Sequence, residues 1–343
     1  MVVAIVCGVA IQDAAPVSAN ADNFVTIPRA KMSRVGSVLS TEVYAYHPFT
    51  ELVGSWRATT PLSSSFRVVI ELPDGNSLSL GTWGSSPDVR SSIREQKIDG
   101  ARVDTDTLVL DKPLTRFKVR IELVEDAGEL PRLEELCFIL TDPAIKVAPR
   151  APNRKAHGWV MEPPRLAQMS YENGNVLCSP TSVAMVLNYW SKKRGINSLN
   201  VTVPQVAEGV YDPGWEGTGN WSFNVAYAAT FPEVESYVTR MRDMRDAEDW
   251  TAAGVPIVTS VSYSLLKGEA KRRSNDGHLV VLVGFDNRGK PIFNDPGKNV
   301  VRMQYDRDAF DRAWAASGRT CYLIYPKKHK IPAAGPWKGS STK

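Results

Sequence analysis

Apolar and charged side chains alternate along much of the first half of the chain. At residues 117–123 every second position is apolar and the positions between them carry Lys, Arg or Glu, which predicts a strand with one buried face. Further strands are predicted at residues 66–72, 103–110 and 133–140. Because turn residues separate these strands and no helical period persists, we predict an antiparallel β-sandwich over residues 22–143.

The second half of the chain has a mixed pattern. Residues 180–190 carry apolar side chains at helical spacing and Gly195 offers a stop, and two more helices are predicted at residues 221–230 and from Asp246. Strands are predicted at residues 256–263, 278–285, 291–294 and 321–325. A leading helix packed on a later antiparallel sheet is an α+β arrangement, which we predict for residues 165–326.

The remaining segments lack a sustained period. Residues 144–164 contain four prolines and are predicted to be a linker that runs extended along one or both domains. The Lys-rich residues 327–343 are predicted to form a solvated basic tail.

Residues 1–19 are predicted to be a signal peptide. Residues 2–11 are apolar but too few to span a bilayer, and Val17-Ser18-Ala19 offers small residues for cleavage. The first basic residue is Arg29, so the positive start of a signal is missing, and a misassigned start or a buried strand is the alternative. We predict a secreted or cell-envelope protein with no stable membrane span.

Composition narrows the function classes. The hydrophobic share of 43%, the charged share of 23% and the net charge of +4 are typical of a soluble globular protein, and no basic stripe suggests nucleic acid as a partner. No Cys/His spacing suggests zinc, and we expect neither a metal nor a cofactor. Cys7 would leave with the signal. Cys137 and Cys321 are predicted to be buried, with a disulfide between them as the alternative.

Cys178 has the context of a nucleophile. Pro180 suits the first turn of a helix and Ser179 is predicted to be its N-cap, so Cys178 would lie just before the helix. The positive end of the helix dipole favours the thiolate there, which is the reactive form of cysteine.

A histidine and an aspartate follow in suitable places. His278 opens an apolar strand, and Asp295 closes the next one after a turn at residues 286–289. The predicted hairpin brings Asp295 within a residue or two of facing His278, where a carboxylate would orient the imidazole. Taken singly, a cysteine in a helix, a histidine at a strand start and an Asn-Asp-Pro turn are usually structural. Their joint order and placement favour nucleophilic catalysis.

Acyl transfer also needs donors for the oxyanion. The backbone N–H of Cys178 and the side chain of Gln168 are the candidates, and Asn173 and Asn175 are alternatives that suit a turn better. Asn220 and Trp221 are predicted to line the substrate cleft, with burial in the core as the alternative for Trp221. In the first half, Trp56 and Trp83 are either core residues, which we favour, or a sugar- or peptide-binding surface.

Over residues 164–326 the chain resembles a papain-fold cysteine peptidase of the bacteriocin-processing type, which cleaves double-glycine leaders, in its stand-alone bacterial form. The resemblance rests on Gln168, the stretch Cys178-Ser179-Pro180-Thr181-Ser182, Gly277-His278-Leu279 and Asn294-Asp295-Pro296, and on residues 219–227 and 305–314. The strand-rich half, at residues 52–56 and 80–83, resembles the domain that often precedes exported peptidases of this kind.

The resemblance implies roles for four residues. Cys178 would be the nucleophile, His278 the general base and acid, Asp295 the orienting residue and Gln168 the oxyanion donor. The family usually has Gly after the cysteine, so Ser179 is expected to crowd the nucleophile. Gln168 also lies farther upstream than the shortest family spacing. No phosphate-binding motif of an ATP-binding cassette occurs in the chain.

The predicted function is hydrolysis of peptide bonds in a peptide or protein substrate through a thioester on Cys178. One alternative is a cell-wall amidase, which commonly uses a second histidine. The chain has four histidines, and of these only His278 has a suitable context. The other alternative is a non-catalytic protein that binds a peptide, a glycan or the cell surface through its β-rich half.

Overall fold

The computed structural model describes residues 14–272 and 276–339 of the chain. Within them, the alternating pattern of the first half produces ten strands that hydrogen-bond into one sheet. In chain order these are β1 (Val17–Ser18), β2 (Phe24–Pro28), β3 (Ser33–Val35), β4 (Val38–Thr59), β5 (Ser65–Glu71), β6 (Ser77–Trp83), β7 (Gln96–Ile98), β8 (Ala101–Asp104), β9 (Thr107–Val124) and β10 (Arg132–Thr141). The all-β character predicted for this half is confirmed.

Two long strands, β4 and β9, organise this sheet. The strand order is β2-β10-β4-β9-β5-β6, with β1 and β3 beside β4, and with β8 and β7 continuing from β9. The pairing of β4 with β9 is irregular between Tyr44 and Phe49, and such irregularities bend strands. The two ends of β4 therefore pair with different stretches of β9, and both stretches contribute to one core. The result is one continuous hydrogen-bonded sheet around that core, and its division into the two layers of a sandwich stays a prediction.

One predicted strand is divided by a turn. Residues 103–110 comprise the end of β8, a turn and the start of β9. Thr105 has a φ of 59°, in the left-handed region, and the chain reverses there. Buried positions recur on both sides of the turn, which is why the apolar pattern alone predicted a single strand.

The side chains of Trp56 and Trp83 lie inside the first half. Their exposed fractions are 2% and 1%, and their ring centroids are 6.5 Å apart. Phe223 of the second half packs against both rings, at 6.2 and 5.4 Å. The core alternative is therefore correct, and a sugar- or peptide-binding surface at these two residues is wrong because neither ring is accessible.

The second half consists of helices packed on an antiparallel sheet. The strands are β11 (Trp159–Val160), β12 (Val234–Arg240), β13 (Ile257–Ser262), β14 (Gly277–Phe285), β15 (Pro291–Asn294), β16 (Arg302–Gln304) and β17 (Thr320–Pro326). The helices are α1 (Cys178–Arg194), α2 (Val203–Val210), α3 (Trp221–Ala229), α4 (Met244–Ala252), α5 (Tyr263–Leu266) and α6 (Arg307–Ala315). The sheet order is β12-β17-β13-β14-β15-β16, with β11 beside β14. The predicted α+β arrangement is confirmed, and α2, α5 and α6 are additional to the predicted helices.

Helix α1 is buried on almost every side. Residues 183–187 have exposed fractions of 0%, because α1 contacts β14 on the sheet as well as α2 and α3. The helix ends at Gly195, as predicted, where φ is 67°. Its start differs from the prediction. Leu177 is the N-cap, so Cys178 is the first residue of the helix and Ser179 the second.

The predicted linker is tied to the second half. The Arg150 guanidinium pairs with the carboxylates of Asp243 and Asp246, at 2.6 and 2.5 Å. Farther along, β11 pairs with β14 at the edge next to Gly284. A Cβ at Gly284 would come within 2.2 Å of the carbonyl oxygen of Trp159, so glycine is needed for this close approach. The end of the linker thereby becomes a strand of the second sheet.

The predicted signal peptide overlaps the first sheet. Residues 1–13 lie outside the described residues. Val17 and Ser18 form β1, which pairs in parallel with Val43 and Tyr44 of β4. Cleavage after Ala19 would remove this strand, so the structure does not support a boundary at residue 19. Export from the cytoplasm remains a prediction. None of the described helices is both long and apolar enough to cross a membrane.

The prediction of a solvated tail is wrong for the described residues 331–339, which we call the C-terminal segment. Trp337 has an exposed fraction of 1%, and its ring meets that of Trp250 in α4 edge to face, at 5.4 Å. The side-chain amide of Asn20, in the first half, donates to the carbonyl oxygens of Gly335 and Trp337. The apolar burial of one tryptophan outweighs the polar composition from which the tail was predicted.

The C-terminal segment also bridges the two halves by charge. The ammonium group of Lys338 pairs with Glu135 of β10 in the first half, and with Glu235 of β12 in the second half at 2.6 Å. The lysine side chain retains only 15% of its exposure, so these pairs are largely shielded from water. The segment therefore adds a charged connection between the two sheets through a single lysine.

Direct contacts between the halves add to this connection. Arg57 of β4 donates to the carbonyl oxygens of Ala229 and Val234, at 3.1 and 2.5 Å. Arg240 of β12 pairs with Glu51 of β4. Helix α3 contacts both β4 and β12, so it lies between the two sheets. The first half is thus part of the packing of the second, and the two are not independent modules.

We expect Trp337→Ala to destabilise the protein by about 3–5 kcal/mol, because it removes a fully buried aromatic side chain at the junction of the two halves. Urea unfolding followed by fluorescence measures this change. Trp215→Ala is the matched control, since 41% of Trp215 is exposed. An equal and small effect of both substitutions would show that the C-terminal segment is a solvated tail after all.

Candidate active site

Cys178 begins α1 and faces the strand that carries His278. It is half-buried, and the hydroxyl of Ser182 in the same helix donates to the carbonyl oxygen of Leu279 at 3.3 Å, which holds α1 against β14. Burial opposes ionisation of the thiol. The hydrogen bond and charge of His278 and the N–H groups of Leu279 and Ser179 outweigh that effect, so the pKa of Cys178 lies below its ordinary value.

His278 connects the thiol to a carboxylate. Its side chain is 8% exposed, and Nε2 lies 2.7 Å from Oδ1 of Asp295. Since Nε2 is engaged there, Nδ1 is the ring nitrogen that remains for Cys178. Burial alone would lower the pKa of His278, but the hydrogen bonds to Asp295 and to Cys178 raise it to about 9.

The sheet register explains how Asp295 meets His278. Val281 of β14 pairs with Asn294 of β15, and continuing this register places Asp295 opposite Val280. Val280 and His278 are two residues apart and lie on the same face, so Asp295 is the diagonal neighbour of His278. This is the relation that the hairpin predicted.

The Asp295 carboxylate is fully buried, and both of its oxygens accept hydrogen bonds. Besides His278, it accepts from the backbone N–H of Gly297 at 2.9 Å and from the hydroxyls of Tyr305 at 2.5 Å and Tyr263 at 3.3 Å. Burial would raise the pKa of Asp295. The hydrogen bond and charge of His278, followed by the bonds from Tyr305 and Gly297, lower it below its ordinary value. The carboxylate is therefore charged at neutral pH.

A backbone hydrogen bond places Gln168 next to the loop that carries Asp295. Its N–H donates to the carbonyl oxygen of Pro296 at 2.8 Å, which joins the glutamine loop to the loop that follows Asp295. Its side-chain Nε2 donates to the carbonyl oxygen of Gly174 at 2.7 Å, which leaves a second N–H on that amide. A Cβ at Gly174 would come within 2.3 Å of the carbonyl oxygen of Gln168, so only glycine permits this tight loop before Cys178.

Asn220 is not a cleft residue, contrary to the prediction. Its side chain is fully buried and is the N-cap of α3, where Oδ1 accepts from the N–H of Phe223 at 3.1 Å. Its Nδ2 donates to Asp212 at 3.0 Å. An asparagine directly before an apolar helical run is a typical N-cap signal, and here that signal indicates a structural role. Trp221 is half-buried against the core, and its backbone N–H donates to the carboxylate of Asp106 at 2.5 Å.

Ser179 does not crowd the Cys178 thiol. Its side chain is fully buried, and its hydroxyl lies 3.0 Å from the hydroxyl of Tyr322 in β17. The side chain therefore points into the core between α1 and the sheet. The expected steric conflict is wrong because adjacent residues of a helix face different directions.

Tyr263 and Tyr305 contact His278 or Asp295, but the sequence does not single them out as site residues. Tyr305 lies in a stretch that carries the family resemblance, without a role of its own. Tyr263 is in a short helix after β13, and no local pattern distinguishes it. Among the described cysteines, Cys137 and Cys321 are free and buried, as favoured. The described residues contain no group of three or more His, Cys, Asp or Glu side chains placed to hold a metal ion.

Sequence comparison gives two family matches. Residues 160–322 match the Peptidase C39 like family, and residues 5–140 match the Peptidase C39 N-terminal domain. The second half is thus similar to C39-like peptidases, and the first half is similar to the N-terminal domain of such peptidases. The resemblance to a stand-alone peptidase of this type with a preceding domain is thereby confirmed, and the match of residues 160–322 supports a cysteine peptidase.

The solved structures that resemble this C39-like chain are distant. A candidate C39-like peptidase from Bacillus anthracis is 19% identical with a TM-score of 0.37, and the match covers 50% of this chain and 98% of that chain. The insecticidal delta-endotoxin Cry8Ea1 from Bacillus thuringiensis is 13% identical with a TM-score of 0.24, covering 37% of this chain and 26% of that chain. Comparison with curated proteins gives no match. Such low scores support no argument about function.

We expect Ser179→Gly to lower the free energy of unfolding by about 1–3 kcal/mol, because it leaves the Tyr322 hydroxyl buried without its partner. Urea unfolding measures this loss. The rate of Cys178 alkylation by iodoacetamide should stay the same, because the serine points away from the thiol. Ser191→Gly, in the last turns of α1, controls for glycine in a helix. Faster alkylation in Ser179→Gly would restore the crowding hypothesis.

Proposed function

We propose that this C39-like protein is a thiol peptidase that hydrolyses peptide bonds through an acyl-enzyme on Cys178. The observation that supports the proposal best is the continuous arrangement of thiol, imidazole and carboxylate. Within it the pKa of Cys178 is lowered and that of His278 is raised to about 9. Opposite shifts of this kind favour a thiolate–imidazolium pair at neutral pH.

The pair accounts for both halves of the reaction. The Cys178 thiolate adds to the carbonyl carbon of the scissile bond, and the carbonyl electrons move to oxygen. When the tetrahedral intermediate collapses, the C–N bond breaks and His278 transfers its proton to the leaving amine. The neutral imidazole then takes a proton from water as the water oxygen adds to the thioester carbonyl. The C–S bond breaks, the carboxylic acid leaves, and the Cys178 thiolate and the His278 imidazolium are restored. Asp295 keeps its negative charge throughout and holds the imidazole in place.

Two donors are available for the oxyanion in this proposal. Cys178 is the first residue of α1, so its backbone N–H has no partner within the helix. The second N–H of the Gln168 amide is the other donor, since only one is engaged by Gly174. The dipole of α1 adds a positive potential at the same place. These donors supply stabilisation to the intermediate rather than to the substrate.

The first test is the pH dependence of Cys178 alkylation by iodoacetamide, mapped by mass spectrometry. Because the thiol pKa is lowered, alkylation should begin to rise at a lower pH than for an ordinary cysteine, whose pKa is about 8.5. His278→Ala removes the imidazolium, so alkylation at neutral pH should fall and rise only as the pH approaches that ordinary value. Peptide cleavage should decline as the pH passes about 9, because His278 loses the proton that the leaving amine needs.

Cys137 provides an internal control in the same experiment, since burial raises its pKa to about 12. It should not react in the folded protein. If wild-type Cys178 titrated like an ordinary thiol and His278→Ala left its rate unchanged, the peptidase proposal would fail, and the non-catalytic binding protein would be the better account.

A second test separates the oxyanion donor from the nucleophile. Gln168→Ala should reduce kcat by about 10²–10³ on an internally quenched peptide library, the usual cost of losing one oxyanion donor. Alkylation of Cys178 develops no oxyanion and should keep its pH profile. Gln168→Glu is the matched variant of equal size, and thermal unfolding checks that both variants fold. Undiminished cleavage by a folded Gln168→Ala protein would remove Gln168 from the proposed mechanism.

A further inference from the structure

The imidazole of His278 is stacked against a tyrosine ring. The ring centroids of Tyr263 and His278 are 4.2 Å apart and their planes are inclined by 40°. Tyr263 follows β13 directly, and β13 pairs with β14 such that Val261 lies opposite His278. The ring is half-buried. It therefore covers one face of the imidazole from the start of α5, at the end of the neighbouring strand β13.

The hydroxyl of the same tyrosine reaches the carboxylate on the other side of the histidine. Oδ2 of Asp295 accepts from Tyr305 at 2.5 Å and from Tyr263 at 3.3 Å. Oδ1 accepts from His278 and from the N–H of Gly297. Both oxygens of Asp295 thus have two partners each, and the carboxylate has little freedom to rotate.

We propose that Tyr263 and Tyr305 are positioning residues for the reaction of Cys178: the Tyr263 ring holds the His278 imidazole in its plane, and the two hydroxyls fix the Asp295 carboxylate. The inference rests on the proposed function, which supplies the reaction, but the geometry it invokes is independent of any substrate.

The physical argument starts from the cost of burying a carboxylate. Without donors, a buried Asp295 would favour its neutral form and would orient the imidazole poorly. The Tyr305 hydroxyl makes the shorter of the two tyrosine hydrogen bonds, and it stabilises the charged form of Asp295. The Tyr263 ring also excludes water from one face of the His278–Asp295 hydrogen bond, which strengthens it in the lower local dielectric. Both effects keep the proton on His278 and the imidazole directed at Cys178.

Other charges face Tyr263 and must stay constant in a test. The ammonium groups of Lys267 and Lys298 lie 4.6 and 5.5 Å from the Tyr263 ring centroid. Glu269 pairs with Lys267 at 2.6 Å. The two cations oppose the charge of an imidazolium, so they work against the raised pKa of His278 rather than produce it. Substitutions at Tyr263 and Tyr305 leave these residues in place.

The experiment measures two quantities in the full chain: the pH profile of Cys178 alkylation by iodoacetamide, and the pKa of His278 by NMR. Tyr263→Leu should lower the rate of alkylation at pH 6 by about three- to tenfold, the range expected from losing an aromatic pair, and should lower the pKa of His278. Tyr263→Phe keeps the ring and should lose less. Tyr305→Phe should lower the pKa of His278 while leaving the stacked ring intact.

Controls separate positioning from folding and from the proposed function. Tyr44→Leu, a tyrosine 39% exposed on the first sheet, should change neither quantity. Circular dichroism identifies variants that fold, and Tyr263→Met replaces Tyr263→Leu if the latter does not. An unchanged pH profile and an unchanged His278 pKa in folded Tyr263→Leu and Tyr305→Phe would overturn the inference while leaving the peptidase proposal standing. An ordinary thiol profile in the wild-type protein, with His278 still sensitive to Tyr263→Leu, would overturn the peptidase proposal and leave the positioning contact.

Discussion

The hydrogen bond between His278 and Asp295 depends on the register of one hairpin. Asp295 reaches the imidazole only because β14 and β15 pair so that the aspartate lies diagonally across from His278. A shift of one residue in a strand moves every side chain to the opposite face of the sheet. The apolar faces of β14 are buried on both sides, so such a shift would expose core residues as well as separate the site. Core packing and the geometry of the site are therefore specified together.

Cys178, the proposed nucleophile, reaches this hairpin through a second constraint, the position of α1. The helix is buried between the sheet and the helices α2 and α3, and the hydroxyl of Ser182 near its start holds it against β14 at Leu279. Helix α3 lies in turn between α1 and the first half of the chain, where Phe223 packs with Trp56 and Trp83. The β-rich half thus supports the back of the layer that carries Cys178. Its buried tryptophans serve this packing, which explains why they are unavailable to a ligand.

Buried charged groups are paired or hydrogen-bonded both at the contact between the two halves and in the candidate site. Lys338 is held by Glu135 and Glu235, and Asp295 by His278 and the two tyrosine hydroxyls. A buried pair adds little net stability, but removing one partner leaves an uncompensated charge at a cost of about 3–5 kcal/mol. These groups therefore restrict the chain to one arrangement of its segments more than they add to its stability. For Asp295 the same restriction serves the proposed chemistry, since a fixed carboxylate fixes the imidazole.

The amino-acid sequence determined the features that depend on near neighbours. Alternation predicted the β-rich half, helical spacing predicted α1 up to Gly195, and the turn after Phe285 predicted the pairing that brings Asp295 to His278. The local sequence signals were weaker for the short helices that were not predicted. The capping pair Thr202 and Gln205 marks the start of α2, but the short apolar run behind it was not recognised as a helix.

Only the tertiary structure decided where individual side chains point and which distant segments meet. Ser179 turns into the core because Tyr322, far along the chain, offers it a partner. Asn220 caps a helix instead of lining a cleft, and Tyr263 reaches His278 from the short helix α5, which the local pattern does not connect with the site. The C-terminal segment is polar by composition, yet Trp337 finds a buried place between the halves. Local patterns record which face of an element is apolar. The partner that covers that face is selected by packing between segments far apart in sequence, and a single sequence does not encode that choice in any local signal.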